Sequence, residues 1–272
     1  MLRFRKYDFF IIAEIGINHN GNLNRALKLI DAAKKSGATA VKFQTYITEK
    51  RVSKKNPAFD ILKKCELSYK SFEIIKKYCD KKKILFFSTP FDIESIEILE
   101  SLKVKLYKIA SFDISNYELI NRLIETKKPT IVSTGMATIN EIRKINSLLT
   151  KNKIEHALLH CVSSYPNHEK NSYLKNITYL KESFNCTIGL SDHTDNIKTS
   201  IYSYLLGASI IEKHFKLSQK DNCVDSPVSI TPKQMETMVK NISEANKILG
   251  KVSFGIRPVE KKSLIFKRKR IL

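Results

Sequence analysis

The sequence predicts a (β/α)8 barrel, and three observations carry that prediction. Short apolar, β-branched runs recur eight times along the 272 residues, and almost every one is followed by a helical pattern. Their spacing of roughly 25 to 35 residues is that of one strand–helix unit. The rival, a doubly wound open sheet, normally opens on a G-x-G-x-x-G turn, and Glu14 to Gly21 contains none.

The elements follow in order. Phe9 to Ile15 reads as the first strand, and Asn20-Gly21 as the turn after it. Asn22 caps a helix with the stripe Leu23, Leu27, Ile30 and Ala33, closed by Gly37. Ala40 to Phe43 is the second strand. A polar excursion from Tyr46 to about Leu67 follows, of the kind that is usually functional or mobile. Ser68 to Lys82 is helical, with Phe72, Ile75 and Cys79 inward, and Ile84 to Phe87 is strand three. Asp92 caps a helix through Ile93, Ile96 and Leu99, and Val104 to Ile109 is strand four. Tyr117 to Glu125 is helical, and Thr130 to Val132 is strand five. Thr138 and Glu141 form a capping box, and Ala157 to Leu159 is strand six. A helix over Tyr173 to Glu182, strand seven over Thr187 to Leu190, a helix over Asn196 to Gly207 and strand eight over Ile210 to Glu212 complete the repeat. Thr231-Pro232-Lys233-Gln234 opens a last helix that stops at Gly250.

Composition excludes several classes. No stretch approaches a membrane span, and the apolar run after Met1 to Phe10 is cut by Glu14 before it can act as a signal sequence, so a cytoplasmic protein is expected. The five scattered cysteines contain no C-x-x-C pair, which argues for reduced, buried thiols rather than a zinc knuckle. Net charge is +21, but the lysines line helix exteriors without interleaved aromatics, so nucleic acid is not the expected partner. A positive field also attracts an anionic substrate. The only dense basic run, Lys267-Arg268-Lys269-Arg270, reads as a solvated tail.

In a barrel all strand ends meet at one rim. That rim collects Glu14, Lys42, Gln44, Ser88, Thr89, Lys108, Ser111, Asp113, Ser133 and Thr134 from the first five strands. His160, Ser163, Tyr165, Ser191, Asp192, His193 and His214 come from the last three. Two lysines among hydroxyls can surround a phosphate. His193 and His214 leave consecutive parallel strands on one face, where two imidazoles can hold a divalent metal; a hydrogen-bonded strand-end histidine is the competing reading. Carboxylates beside them can manage protons.

Six segments then point to a family. Ile11-Ile12-Ala13-Glu14-Ile15-Gly16-Ile17-Asn18-His19-Asn20-Gly21, Val41-Lys42-Phe43-Gln44-Thr45, Ser88-Thr89-Pro90-Phe91, Ser133-Thr134-Gly135-Met136, Gly189 to Thr194 and Glu212-Lys213-His214-Phe215 resemble the sialic acid (N-acetylneuraminate) synthases. Relatives of that family make pseudaminate and legionaminate. The resemblance runs over residues 9 to 260. It implies a barrel that condenses phosphoenolpyruvate with the open-chain aldehyde of an N-acetylated hexosamine, giving a nine-carbon 2-keto-3-deoxy acid and phosphate. It implies His193 and His214 as ligands of manganese, with magnesium or cobalt as alternatives. Lys42, Thr89, Lys108, Ser111, Ser133, Ser163 and Ser191 resemble the phosphoenolpyruvate site. Glu14, Gln44, Tyr165 and Asp225 resemble the residues that face the sugar, and with Asp113 they form the expected catalytic set.

The chain departs from the family pattern in places. Phe112-Asp113 stands where neuraminate-type enzymes have Gly-Glu, a form more similar to the pseudaminate branch. Ser163 replaces a common Asn, and Asn222-Cys223-Val224 replaces Pro-Gly-Pro before Asp225. The barrel is expected over 1–255. Residues 256–272 resemble the linker to an antifreeze-like domain, which the family uses in a domain-swapped dimer; here the expectation is that the domain is absent, is supplied by a separate chain, or has been lost in a reduced gene product. Two further readings are another phosphoenolpyruvate–aldose synthase and a degenerate, non-catalytic binding barrel.

Overall fold

The computed structural model describes residues 3–268. Eight parallel strands close in sequence order: β1 (Phe10–Gly16), β2 (Ala40–Thr45), β3 (Leu85–Pro90), β4 (Tyr107–Ile109), β5 (Thr130–Ser133), β6 (His156–Cys161), β7 (Thr187–Asp192) and β8 (Ile210–His214). β1 pairs with both β2 and β8, which seals the barrel and leaves no edge. The predicted fold class is the observed one.

Around the strands run α1 (Leu23–Lys35), α2 (Thr48–Arg51), α3 (Phe59–Cys65), α4 (Tyr69–Lys82), α5 (Ile93–Ser101) and α6 (Tyr117–Glu125). They are followed by α7 (Ile139–Lys151), α8 (Lys175–Ser183), α9 (Lys198–Leu205) and α10 (Pro232–Leu249). Asn22, Asp92, Thr138 and Thr231 each accept a backbone N–H at the N-terminus of their helix, and the last two form complete capping boxes. Among the described residues no helix is long and apolar enough to cross a membrane.

Three local expectations are corrected. Strand four is shorter than 104–109, because the Val104 N–H bonds the Leu99 carbonyl and closes α5. The chain joins the ladder only at Tyr107, which donates to Pro129. The eighth helix starts at Lys175 rather than Tyr173, which sits at φ 44°, a left-handed conformation that cannot begin a right-handed helix. The excursion after β2 is not loose. It contains α2 and α3, pinned by Tyr46 donating to the Leu62 carbonyl and by Glu66 accepting from Thr48 N–H and Oγ1.

Side chains alternate along a strand, so each second residue faces the barrel axis. The lower inward layers are apolar: Phe10, Ile12, Ala40, Phe87, Leu106, Ile131, Ala157, Leu159 and Ile210, closed from below by Phe4. The outward residues pack under the helices in the larger core. Gly189 completes the inward set. A Cβ there would stand 2.3 Å from the Ile210 carbonyl oxygen, so no side chain fits between β7 and β8.

Residues 251–268 run exposed outside the barrel, and Pro258–Phe266 forms a 3-10 helix. Lys267 and Arg268 of the predicted basic tail are exposed, whereas Lys269 to Leu272 and Met1-Leu2 lie outside the described residues.

Candidate active site

One step of two residues above the apolar layers, every strand turns polar. Ile12 gives way to Glu14, Ala40 to Lys42, Phe87 to Thr89 and Leu106 to Lys108. Ile131 gives way to Ser133, Leu159 to Cys161, Gly189 to Ser191 and Ile210 to Glu212. A further step places Gln44, His193 and His214 nearer the mouth. These side chains line one cavity of about 240 Å³ at the C-terminal end of the strands. Ser111, Tyr165 and Asp225 join them from the loops.

Two lysines form the floor. Lys42 Nζ lies 2.7 Å from Glu14 Oε2, 3.0 Å from Thr89 Oγ1 and 3.8 Å from Glu212 Oε2. Lys108 Nζ donates to Ser133 Oγ at 2.6 Å and lies 3.8 Å from Glu212 Oε1. Ser191 Oγ donates to that same oxygen at 2.9 Å. Ser111 Oγ accepts the Gly135 N–H at 3.0 Å. Hydroxyl donors and two ammonium groups thus share one buried volume, which suits a small polyanion.

The two carboxylates are pushed apart. Burial opposes ionisation of both. In Glu212, Lys108 and Lys42 overcome it and hold the carboxyl well below its usual range. In Glu14, burial prevails over Lys42, and the charge on Glu212 adds to it, so the carboxyl rises. Burial would also depress Lys42, but Glu14 and Glu212 keep its ammonium above its ordinary value. Lys108 is lowered by burial, which Glu212 only partly offsets and Lys42 reinforces. A raised carboxyl beside a permanently charged one is the pattern of a proton-handling pair.

At the mouth the imidazole centroids of His193 and His214 stand 5.4 Å apart. His193 Nδ1 lies 2.8 Å from the Val162 carbonyl, which assigns the ring proton to Nδ1 and leaves Nε2 as a lone-pair donor. Buried His214 Nδ1 makes no hydrogen bond, with Asp225 Oδ2 at 3.3 Å. Such a pair fits a divalent cation, but among the described residues no third His, Cys, Asp or Glu closes a cage. Water or substrate would fill the remaining positions. The Tyr165 ring covers His193 at 4.0 Å while staying 48% exposed.

Asn18 holds Asp225 in place. It is fully buried, accepts the Asp225 N–H at 2.8 Å, and donates to the Phe215 carbonyl and Ser229 Oγ, both at 2.9 Å. Next to it, His19 Nδ1 accepts the Gly21 N–H at 3.1 Å and the ring stacks on Phe43. Burial lowers its pKa to about 4. The unfolded chain, with an imidazole near 6.5, therefore binds the extra proton first as pH falls. Stability from this group is full above about pH 6.5 and is lost as pH drops through 4, by about 3 kcal/mol in all. Urea melts of wild type and His19→Gln between pH 4 and 7 should show that slope only in the wild type.

The structure does not bring every predicted residue to the cavity. Ser163 lies beyond the end of β6, against Gly135 and 3.8 Å from Cys161 Sγ, and lines a neighbouring cleft with Met136 and Tyr173 instead. Asp113 sits in a 3-10 turn where Asn116 donates to it at 3.1 Å, and its neighbour Phe112 lines the wall. Of the wider rim, Ser88, Thr134, His160 and Asp192 fall off the axis. Ser88 meets Thr45, Thr134 donates to the Leu159 carbonyl, and His160 meets the Ser172 carbonyl. Asp192 accepts from Thr199, Ser200 and the buried Lys213, tying α9 to the ends of β7 and β8. Strand parity explains all but Thr134, which follows the end of β5: these residues are odd steps from the inward positions.

Three ionisable lining residues were outside the predicted site set: Glu212, Cys161 and Arg51. Glu212 and Cys161 were within reach of the sequence reading, each two residues from an inward neighbour. Arg51 was not, because α2 brings it to the rim from the excursion. Burial opposes ionisation of Cys161, yet His193, Ser111 and Lys108 outweigh it and lower the thiol.

Residues 29–254 match the NeuB family. The chain is 40% identical over 264 residues to an uncharacterized Methanocaldococcus jannaschii protein, MJ1065, covering 97% of this chain and 78% of that one. It is 35% identical over 279 residues to the N,N'-diacetyllegionaminic acid synthase of Campylobacter jejuni, covering 96% and 84%. The crystal structure of the N-acetylneuraminic acid (sialic acid) synthetase of Leptospira borgpetersenii superposes with a TM-score of 0.92 at 37% identity, over 95% of this chain and 90% of that one. A closed eight-stranded barrel, a polar layer at the C-terminal strand ends and matches of this extent agree: the chain belongs to the NeuB family, whose characterised relatives are sialic-type acid synthases.

Proposed function

We propose that this barrel condenses phosphoenolpyruvate with the open-chain aldehyde of an N-acylated hexosamine, releasing phosphate and a nine-carbon 2-keto-3-deoxy acid. The observation that carries the reading is the buried floor of Lys42 and Lys108 among Thr89, Ser133 and Ser191, beside Glu14 and beneath the two imidazoles. The floor takes the phosphate and carboxylate of phosphoenolpyruvate, whose charges the two ammonium groups offset. His193 and His214 would hold a divalent metal, manganese by preference, with Asp225 alongside. When bound, that metal supplies Lewis-acid polarisation of the sugar aldehyde.

The residues then divide the work. C3 of the enol forms the new bond to the aldehyde carbon, and the aldehyde oxygen takes the proton of the Glu14 carboxyl to become a hydroxyl. Water adds to the cation left at C2. Glu14, with its raised carboxyl beside Lys42, takes the proton of that water. Lys42, Lys108 and the hydroxyls stabilise the charge on the departing phosphate as its bond to C2 breaks and the C2 hydroxyl gives its proton to the phosphate, leaving the 2-keto group. Gln44, held by Arg51 at 3.0 Å, presents its amide toward Glu14 at 3.5 Å and fixes the sugar side.

Phosphate release from phosphoenolpyruvate, assayed with manganese and with N-acetylmannosamine or diacetamido hexoses separately, tests the reading. Release should require both sugar and metal, fall at least about 100-fold with chelator, and fall as far in His214→Ala. Release without sugar would contradict it. Phosphoenolpyruvate binding with no turnover on any sugar would favour a barrel that only binds.

A further inference from the structure

We infer that Lys213 is a positioning residue, which holds His193 against His214 so that both imidazoles face one divalent cation; this rests on the reading of the imidazole pair given above. The two histidines are not anchored alike. His214 belongs to the ladder, opposite Glu14 of β1, and its carbonyl accepts the Ile230 N–H at 2.9 Å. His193 stands one residue past Asp192, the last residue of β7 that pairs with β8. Without ladder bonds a strand end frays, whereas a metal-binding atom has to be held within about 0.5 Å. Local bonds do that holding here. Asp192 Oδ1 accepts the Thr194 N–H at 2.8 Å, which makes an Asx-turn with His193 at its tip. The His193 carbonyl accepts the Asn167 N–H at 2.9 Å.

Lys213 closes this turn from the neighbouring strand. It is fully buried, directly precedes His214, and by strand parity points away from the barrel axis, outside the cavity. Its Nζ donates to the Thr194 carbonyl and, at 3.1 Å, to Thr194 Oγ1, and lies 3.2 Å from Asp192 Oδ2. One ammonium group, rooted beside His214, therefore grips the residues on both sides of His193. Thr199 and Ser200 of α9 brace the same Asp192 oxygen at 2.6 and 2.7 Å. An ion pair this deep is weak evidence for stability, since apolar residues of similar volume often serve a core as well. Apolar residues cannot hold a main-chain carbonyl in place. All three donors of the ammonium group are spent on the turn around His193, and outer partners of this kind are what orient metal-binding imidazoles.

Lys213→Met and the double variant Lys213→Met with Asp192→Asn test this. The single variant orphans a buried carboxylate, and its melting temperature should fall by roughly 6–20 °C. The double variant removes both charges and should melt within about 4 °C of wild type. Manganese binding, read without turnover from the electron paramagnetic resonance of the free ion, should nevertheless weaken in the double variant, its Kd rising roughly 10- to 100-fold. NMR of histidine-labelled, metal-free protein follows the His193 Nδ1 proton, which faces the Val162 carbonyl at 2.8 Å. Its exchange with solvent should be at least about tenfold faster in the double variant. A folded double variant with a Kd within about twofold of wild type and an unchanged His193 proton would make the Lys213–Asp192 pair a tie for α9 alone and overturn the proposal. Absence of manganese binding by wild type would instead indict the metal reading. The proton exchange then decides alone whether Lys213 holds His193, and an unchanged rate rejects it.

Discussion

Lys42→Met should lower phosphate release by about 10³-fold or more and destabilise the fold by about 3–5 kcal/mol. Among the described residues Lys42 is the only group that contacts Glu14 Oε2, Thr89 and Glu212 together. Its removal leaves Glu14 without its cation and Glu212 with Lys108 alone, two carboxylates facing each other in a buried space. The melting temperature should fall by roughly 6–20 °C. The fall should be smaller at acidic pH, where Glu14, whose carboxyl burial raises, takes up a proton and removes one of the two negative charges. A double variant, Lys42→Met with Glu14→Gln, should regain most of the stability and none of the activity. That contrast separates the lysine's part in folding from its part in the reaction. Turnover within threefold of wild type would mean that the floor of the cavity does not carry the phosphate.

Glu14→Gln alone should do the reverse. Turnover should drop by about 10²- to 10⁴-fold, since glutamine keeps the shape but cannot exchange a proton. Stability should change by less than about 1 kcal/mol, because Glu212 remains beside Lys42 at 3.8 Å and a neutral group replaces a carboxyl that burial already disfavours as an anion. The alkaline limb of the wild-type pH–rate profile should vanish in the variant. The role given to Glu14 would be untenable if the variant turned over near the wild-type rate.

Much of this site was legible before folding was considered. The strands could be found because their apolar runs are short and bounded by caps and turns, and the caps at Asn22, Asp92, Thr138 and Thr231 are local hydrogen bonds between residues three apart. A strand of known end releases its last residues at a known rim, so Glu14, Lys42, Thr89, Lys108 and His214 could be assembled on paper. What remained hidden depended on direction. His160 and Cys161 are adjacent in sequence, yet one meets the Ser172 carbonyl under α8 and the other lines the cavity. Counting in twos from the apolar layer would have sorted them and would also have found Glu212.

The eight-fold alternation, the order of the strands and the polar turn at each strand's C-terminal end are encoded locally, since they rest on hydrophobic period and capping. Tertiary structure alone decided the rest. Asn18 bonds Asp225 across more than two hundred residues because barrel closure brings β1 beside β8. Arg51 reaches the cavity because Tyr46, Thr48 and Glu66 fold the excursion after β2 back onto the rim. The opposite shifts of Glu14 and Glu212 arise only where two lysines from β2 and β4 converge on them. Long-range contacts and the charges they bring into low dielectric have no signature in the spacing of residues along the chain, and it is they that turn a ring of strand ends into a site.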